Sequence, residues 1–372
     1  MSVAELLDGR DICVCAGSGG VGKTTVAAAI GMGMAAEGLK VAVVTIDPAK
    51  RLANSLGLQE LGNEAVQVDP DRFAAEGLEM RGELWAMMLD AKRTFDELVE
   101  KRAPDEQTRK AVLDNRIYKE LSNAVAGSQE YMAMEKLYEL HHDGDYDLIV
   151  LDTPPTRNAL DFLDAPERLS KFLDSRSLQF FLAPGRRGLK LFGRGTGLVF
   201  SVLKRVTGVD LLQDLSSFFQ SFGDMAEGFN ERATQVNELL ADRRTTFILV
   251  TTPQADSVEE AVFFQERLAE RSMPFGGAIV NRVHDEPGRD SGDEVEDELA
   301  GALGDDLGRK VARNFDDYLA LGEHDRRNIE RLESEIEGRS LVLVPYLDDD
   351  VYDVSGLMRM NEYLFAAGAV SA

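Results

Sequence analysis

Cysteine is nearly absent: the 372 residues include only Cys13 and Cys15. Basic residues are outnumbered, 41 Lys and Arg against 66 Asp and Glu, for a formal net charge of −25. A balance this negative repels phosphate backbones and argues against a broad nucleic-acid-binding face. No stretch approaches the ~18 consecutive apolar residues of a membrane helix. The opening MSVAELLDGRDICVC lacks the basic segment and small-residue cleavage site of a secreted precursor. Together these absences predict a reduced, soluble, cytoplasmic protein with no transmembrane segment and no nucleic-acid partner.

The rest of the composition is ordinary, 44% hydrophobic and 29% charged, and the length suits one large α/β domain or two smaller ones. Short β-branched runs that end in polar or turn residues read as buried parallel strands: DICVCAG, KVAVVTID to Asp47, YDLIVLD to Asp152, TTFILVTT, GAIVN to Asn281 and LVLVP to Pro345. ELWAMMLD, ending at Asp90, is a weaker one. Helical patterns lie between them. The alternation predicts an α/β fold, a doubly wound, mainly parallel sheet with helices on both faces. Ligands bind such sheets beyond the carboxyl ends of the strands, where Gly17, Asp47, Asp152, Asn281 and Pro345 fall. Residues 91–145 and 158–243 read as an inserted helical subdomain, and residues 1–90, 146–157 and 244–372 as the core of a single domain. An acidic segment from Asp285 reads as a surface loop or frayed helix, and residues 311–336 as a long charged helix.

Gly17-Ser18-Gly19-Gly20-Val21-Gly22-Lys23-Thr24 fits two patterns at once. One is the dinucleotide fingerprint G-x-G-x-x-G, with Asp47 as its ribose-binding acid. The other is the phosphate loop G-x-x-x-x-G-K-[ST]. A pyrophosphate on a helix end needs neither Lys23 nor Thr24. A triphosphate with magnesium uses both, the cation on the β/γ oxygens and the hydroxyl on the metal. The glycines let backbone N–H groups close around phosphate, and a helix from Lys23 to about Glu37 adds its positive end. A dinucleotide oxidoreductase would leave Lys23 and Thr24 without a purpose.

Asp152 after LIVL is what a magnesium-directed carboxylate requires, and the Thr153-Pro-Pro-Thr-Arg loop suits γ-phosphate sensing. Asp47, at the mouth of the adjacent strand, is placed either to position the attacking water or to cap the following helix. Cys13 and Cys15 share one strand face and read as small core residues. The Met clusters near 80–88 and 132–134 read as packing. The apolar series over 178–222 reads as a layer covering its own core, with a client groove as the alternative that the family resemblance below implies.

With GSGGVGKTT, TIDPAKRL, LDTPPTRNALDFLDAPERL, IVNR and LVLVPYLDDDVYDVSGL in place, nearly the whole chain resembles the deviant-Walker P-loop ATPases. Within them it is similar to the arsenite-efflux and tail-anchored-protein-targeting branch, and to its bacterial anion-transporting subgroup. The resemblance implies ATP and ADP as ligands, held by the loop from Gly17 to Thr25, with Lys23 on the β/γ-phosphates. It implies magnesium held by Thr24 directly and by Asp152 through water, Asp47 as the water-positioning group, and Thr153 to Asn158 as a second switch. It puts Asn281 on the adenine edge, with Arg282 and the loop from Pro345 packing near the base, and a dimer closing around two nucleotides to alter a client-binding surface.

This chain departs from the family pattern in three ways. Relatives with GKGGVGKT reach across the dimer with a first lysine, and Ser18 stands there. A trans cation at a phosphoryl transition state is worth ~10³-fold or more, roughly 4 kcal/mol. A homologous, lysine-bearing partner in an unequal dimer would supply it, unless Lys50 or Arg51 substitutes. No C-x-x-C pair exists for an interfacial zinc, and the metalloid-binding cysteines are missing. The expected function is therefore a Mg–ATP-hydrolysing switch coupled to a client or membrane-complex protein. The alternatives are a positioning or partitioning ATPase on membrane or DNA, and the ATPase subunit of an anion efflux system. The guanine-reading N-K-x-D is absent, and the short, nearly uncharged tail GLMRMNEYLFAAGAVSA lacks a basic amphipathic helix.

Overall fold

The computed structural model describes residues 2–47, 49–115, 118, 128–153, 231–284, 299–336 and 339–366. Its strands are β1 (Ile12–Ala16), β2 (Lys40–Thr45), β3 (Val66–Gln67), β4 (Glu83–Met88), β5 (Leu148–Asp152), β6 (Thr245–Thr251), β7 (Phe275–Val283) and β8 (Ser340–Pro345). They form one sheet in the order β3-β4-β2-β5-β1-β6-β7-β8. From β2 through β5, β1, β6 and β7 to β8 each pairing is parallel. This is the α/β architecture that the strand–helix alternation predicts, and all seven expected strands are present. The two-residue edge β3, antiparallel to β4, is an addition. It is exposed and too short to leave a period-two signal.

β1, β5 and β6 are buried at every position, as strands covered on both faces should be. Helix α1 (Lys23–Ala36) follows the glycine loop and is buried almost all round. Its KTTVAAAIGMGMAA sequence has no polar stripe to offer solvent, so the chain can place it only inside. The helix closes at Glu37, and Gly38 takes a positive φ just beyond, as an αL residue past a helix end does.

Contacts divide the chain into two compact units, Met1–Met87 with Asp145–Ala159 and Ala241–Ala372, and Met88–Gly144 with Leu160–Leu240. The first holds the sheet, α1 and α2 (Arg51–Ser55). The second holds α3 (Ala91–Arg102), α4 (Glu106–Leu113) and α5 (Ser128–Asp143). Back in the first unit lie α6 (Ala255–Glu270), α7 (Asp305–Glu335) and α8 (Val354–Leu364). The long charged helix thus starts at Asp305 rather than near 311. Met87, Met132 and Met134 are fully buried, so these members of the methionine clusters are packing residues. The apolar series at 178–222 and the acidic segment from Asp285 lie outside the described residues.

Candidate functional site

The loop between β1 and α1 leaves the sheet where neighbouring connections diverge, with β5 on one side of β1 and β6 on the other. Two glycines are obligatory there. A Cβ on Gly17 would sit 2.0 Å from the Val250 carbonyl oxygen. One on Gly22, at φ +96°, would meet Asn281 Nδ2 at 2.5 Å. Gly22 is also the N-cap of α1 and brings no side chain to cap it. The first amides of α1 are therefore unclaimed by a capping side chain and aim their positive end into the loop.

Behind the loop, sheet register assembles a polar cluster. Cys15, Thr45 and Asp152 are in-register partners on β1, β2 and β5. Parallel neighbours in register project to the same face, so Thr45 reaches Asp152. The Thr24 and Thr45 hydroxyls both donate to Asp152 Oδ2 at 2.7 Å. Asp152 is 1% exposed and its Oδ1, also buried, has no partner among the described residues. Burial pushes its carboxyl up to about 6, against the opposing pull of the two threonine hydrogen bonds and of Lys23. Lys23 is buried too, and its Nζ donates to the Ser18 carbonyl at 2.6 Å. Burial lowers the lysine from its ordinary value, while the charges of Asp152 and Asp47 work against that shift.

Asp47 follows β2 without capping α2, whose N-cap is Lys50. Its Oδ1 accepts from the Ala49 amide at 2.9 Å, its own amide donates to Thr45 Oγ1, and Arg51 lies 3.7 Å from Oδ2. Thr153 donates its hydroxyl to the Cys15 carbonyl at 2.8 Å, tying the end of β5 to β1. Residues 154–158 of the expected second switch lie outside the described residues. Cys13 and Cys15 are buried free thiols, and a hydrogen bond from the Cys15 thiol to Cys13, with burial, pushes Cys15 well up.

A second group gathers at the far end of the loop. Gly22, Thr25, Asn281, Arg282 and Pro345 line one cavity of about 170 Å³ with Tyr346, Leu347, Asp349, Asp350, Val351 and Met360. Asn281 is buried and donates through Nδ2 to the Val21 carbonyl at 2.9 Å, which pins the loop to β7. Arg282 stands at φ +61°, and its guanidinium reaches the Gly20 carbonyl at 3.3 Å. Exposed Gly19 and Gly20 bridge the two groups along the loop.

Sequence reasoning missed Thr45, though it had a signal, a hydroxyl at a strand end two residues before a carboxylate.

A buried strand-end carboxylate, a buried lysine and a helix end opened by glycine are the parts that the P-loop class of ATPases uses. Residues 10–302 match the model of the anion-transporting ATPases, and the chain belongs to that family and is an ATPase. It is similar to the ATPase GET3 of Malassezia globosa, 28% identical over 285 residues, 76% of each chain. It is similar also to an ATPase ASNA1 homolog of Cryptosporidium parvum, 27% identical over 75% of this chain and 68% of the other. The ATPase get3 of Aspergillus terreus is 24% identical over 94% of this chain and 88% of its own.

Proposed function

We propose that this ATPase is a Mg–ATP-dependent switch that hydrolyses ATP to ADP and phosphate and couples its nucleotide state to a partner or client protein. The observation that carries the reading is the meeting of Lys23, Thr24 and Asp152 behind a helix end without a capping side chain. Lys23 would sit on the β/γ-phosphates, released from the Ser18 carbonyl by a better acceptor. The unpartnered Asp152 Oδ1 and the Thr24 hydroxyl fit a magnesium ion, a hard cation that takes oxygen ligands and keeps several waters. Bound there, the ion would neutralise charge on the β/γ oxygens. Asp47, its charge felt at both Lys23 and Asp152, would orient the attacking water. Asn281, Arg282 and Pro345 would border the base.

We assign the protein to an unequal dimer with a homologous subunit that carries the first lysine. Ser18 cannot supply a cation in trans. Of the in-chain substitutes, Lys50 lies 3.1 Å from Glu60 and Arg51 3.7 Å from Asp47, both cations open to solvent. Steady-state Mg–ATP hydrolysis of the wild type, Ser18→Lys and Lys23→Ala tests both parts. Lys23→Ala should lower turnover by ~10³-fold or more, and Ser18→Lys should clearly exceed the wild type. Retained activity in Lys23→Ala would sink the site. Brisk wild-type turnover that Ser18→Lys leaves unchanged would sink the unequal dimer alone.

A further inference from the structure

Among the described residues only Ser272 and Arg282 stand at positive φ without being glycine, and Arg282, at +61°, interrupts a strand. The β7–β8 register slips there: Asn281 pairs with Val344, but Val283 pairs with Pro345, so Arg282 is the extra residue of a bulge. A left-handed conformation strains arginine, and such strain persists only where the surroundings impose it. They do so from beyond the bulge. The Tyr346 amide donates to the Val283 carbonyl at 2.8 Å. The His284 amide and Nδ1 lie 3.0 and 2.7 Å from Oδ2 of buried Asp325 on α7. The His284 ring stacks on Tyr346, with centroids 5.6 Å apart and planes 14° from parallel.

On the other side the bulge faces the phosphate loop. Neighbours along a regular strand point opposite ways, yet Asn281 and Arg282 both reach that loop. Asn281 Nδ2 donates to the Val21 carbonyl at 2.9 Å, and the Arg282 guanidinium donates to the Gly20 carbonyl at 3.3 Å. Asn281 Oδ1 accepts from the Arg282 amide at 3.0 Å, so both ends of the Asn281 amide are spent on this arrangement. The two loop carbonyls are consecutive. In a planar trans peptide the N–H points away from the C=O. Drawing the Gly20 and Val21 carbonyls toward β7 therefore turns the Val21 and Gly22 amides the other way, into the loop. Gly20 and Gly22 stand at φ +82° and +96°, with Val21 between them outside the left-handed region. That alternation makes successive amides converge on an anion.

We infer that Asn281 and Arg282 are positioning residues for the phosphate loop: the bulge holds two carbonyls outward, so that two amides are aimed at phosphate before a nucleotide arrives. This rests on the phosphate-loop reading and deepens it. Donors fixed in advance cost no reorganisation on binding, which is the gain of a preorganised site over a mobile loop. The effect belongs to the phosphate chain and asks nothing of a base, so inorganic tripolyphosphate is its direct probe.

Isothermal titration of the full chain with ATP and with tripolyphosphate, each with magnesium, tests this beside melting of the nucleotide-free chain. Asn281→Ala, which removes a buried donor, should weaken tripolyphosphate about tenfold. Arg282→Gly should weaken it about threefold while raising the melting temperature, since glycine takes a positive φ without strain. Arg282→Lys, which keeps a donor, should recover most of that loss. Falling affinity with rising melting temperature is a split that a merely structural residue would not give. An unchanged tripolyphosphate Kd in Asn281→Ala overturns the Asn281 role, and if ATP alone is weakened the amide serves the base instead. An Arg282→Gly chain that binds tripolyphosphate like the wild type overturns the Arg282 role. If the wild type takes tripolyphosphate and every variant matches it, the positioning fails and the phosphate loop stands. If the wild type takes neither ATP nor tripolyphosphate, the phosphate-loop reading fails first and the positioning with it.

Discussion

Asp152, at the carboxyl edge of the sheet, and Glu135, in the helical unit, are both carboxylates removed from water with one oxygen unpartnered among the described residues. Burial raises both above the ordinary carboxylate range. They differ in their surroundings. Glu135 Oε1 lies 3.0 Å from Arg232 Nε, Arg102 also draws its charge, and the guanidinium of Arg232 sits 4.0 Å over the Tyr138 ring. The cavity beside it is lined by Lys101, Arg102 and Arg232 against Glu135, Glu139 and Asp143, a polar cluster that balances itself. Asp152 has two neutral hydroxyls on one oxygen, a buried lysine nearby and a glycine loop in front. A perturbed carboxylate is thus a weak sign of a site until other groups converge on the same empty space. In the helical unit the charge is answered from within; at the sheet edge part of it is left for something to bind.

The largest effect that can break this comparison is expected in the helical unit. Arg232→Ala would strand Glu135 without its main counter-charge, and removing one partner of a buried pair costs about 3–5 kcal/mol. Chemical denaturation should show that loss for Arg232→Ala, and most of it recovered when Glu135→Leu is added, because the double change removes both charges. If Arg232→Ala costs no more than a surface substitution, Glu135 is not answered by Arg232 and the contrast with Asp152 collapses.

The next effect has the opposite sign. A carboxyl moved from its ordinary 3.8 to about 6 holds its proton more tightly folded than unfolded. Its charge therefore costs stability, nothing below about pH 4 and a full ~3 kcal/mol above pH 6. Asp152→Asn should raise the melting temperature of the nucleotide-free chain at pH 7.5, with the gain fading as pH falls toward 4. The same substitution should abolish Mg–ATP hydrolysis. A variant less stable than wild type at both pH values would show that Asp152 contributes to folding in the way Arg232 does.

How much of this was open to reading follows from where each constraint lies along the chain. The glycine loop, Lys23, Thr24 and the strand ends at Asp47 and Asp152 are local statements. Each follows from a short run whose chemistry and secondary structure coincide. Asn281 was readable as a residue beyond a strand, but its bond to the Val21 carbonyl joins positions 260 apart, which no local pattern encodes. The stack of His284 on Tyr346 depends on one slipped pairing at Arg282, and nothing in NRVH announces a positive φ. The helical unit gave periodicity and helix ends, yet not that Glu135 would find Arg232, since amphipathic spacing fixes which face is buried and not its partner across the gap.

The smallest effect isolates what Thr45 does for Asp152. Thr45→Val keeps the shape of a side chain that is 1% exposed but removes a donor from Asp152 Oδ2 and an acceptor from the Asp47 amide. Losing one buried hydrogen bond costs about 1–2 kcal/mol. The Thr45 bond also holds the Asp152 carboxyl down against burial, so its loss should push that carboxyl higher. In the nucleotide-free chain the pH at which the Asp152 cost to stability levels off should then rise in Thr45→Val and return in Thr45→Ser, which restores the hydroxyl without the methyl group. A levelling-off pH that stays in place while stability falls would make Thr45 a packing residue only. The sheet edge would then resemble the helical unit more closely than their hydrogen bonds suggest.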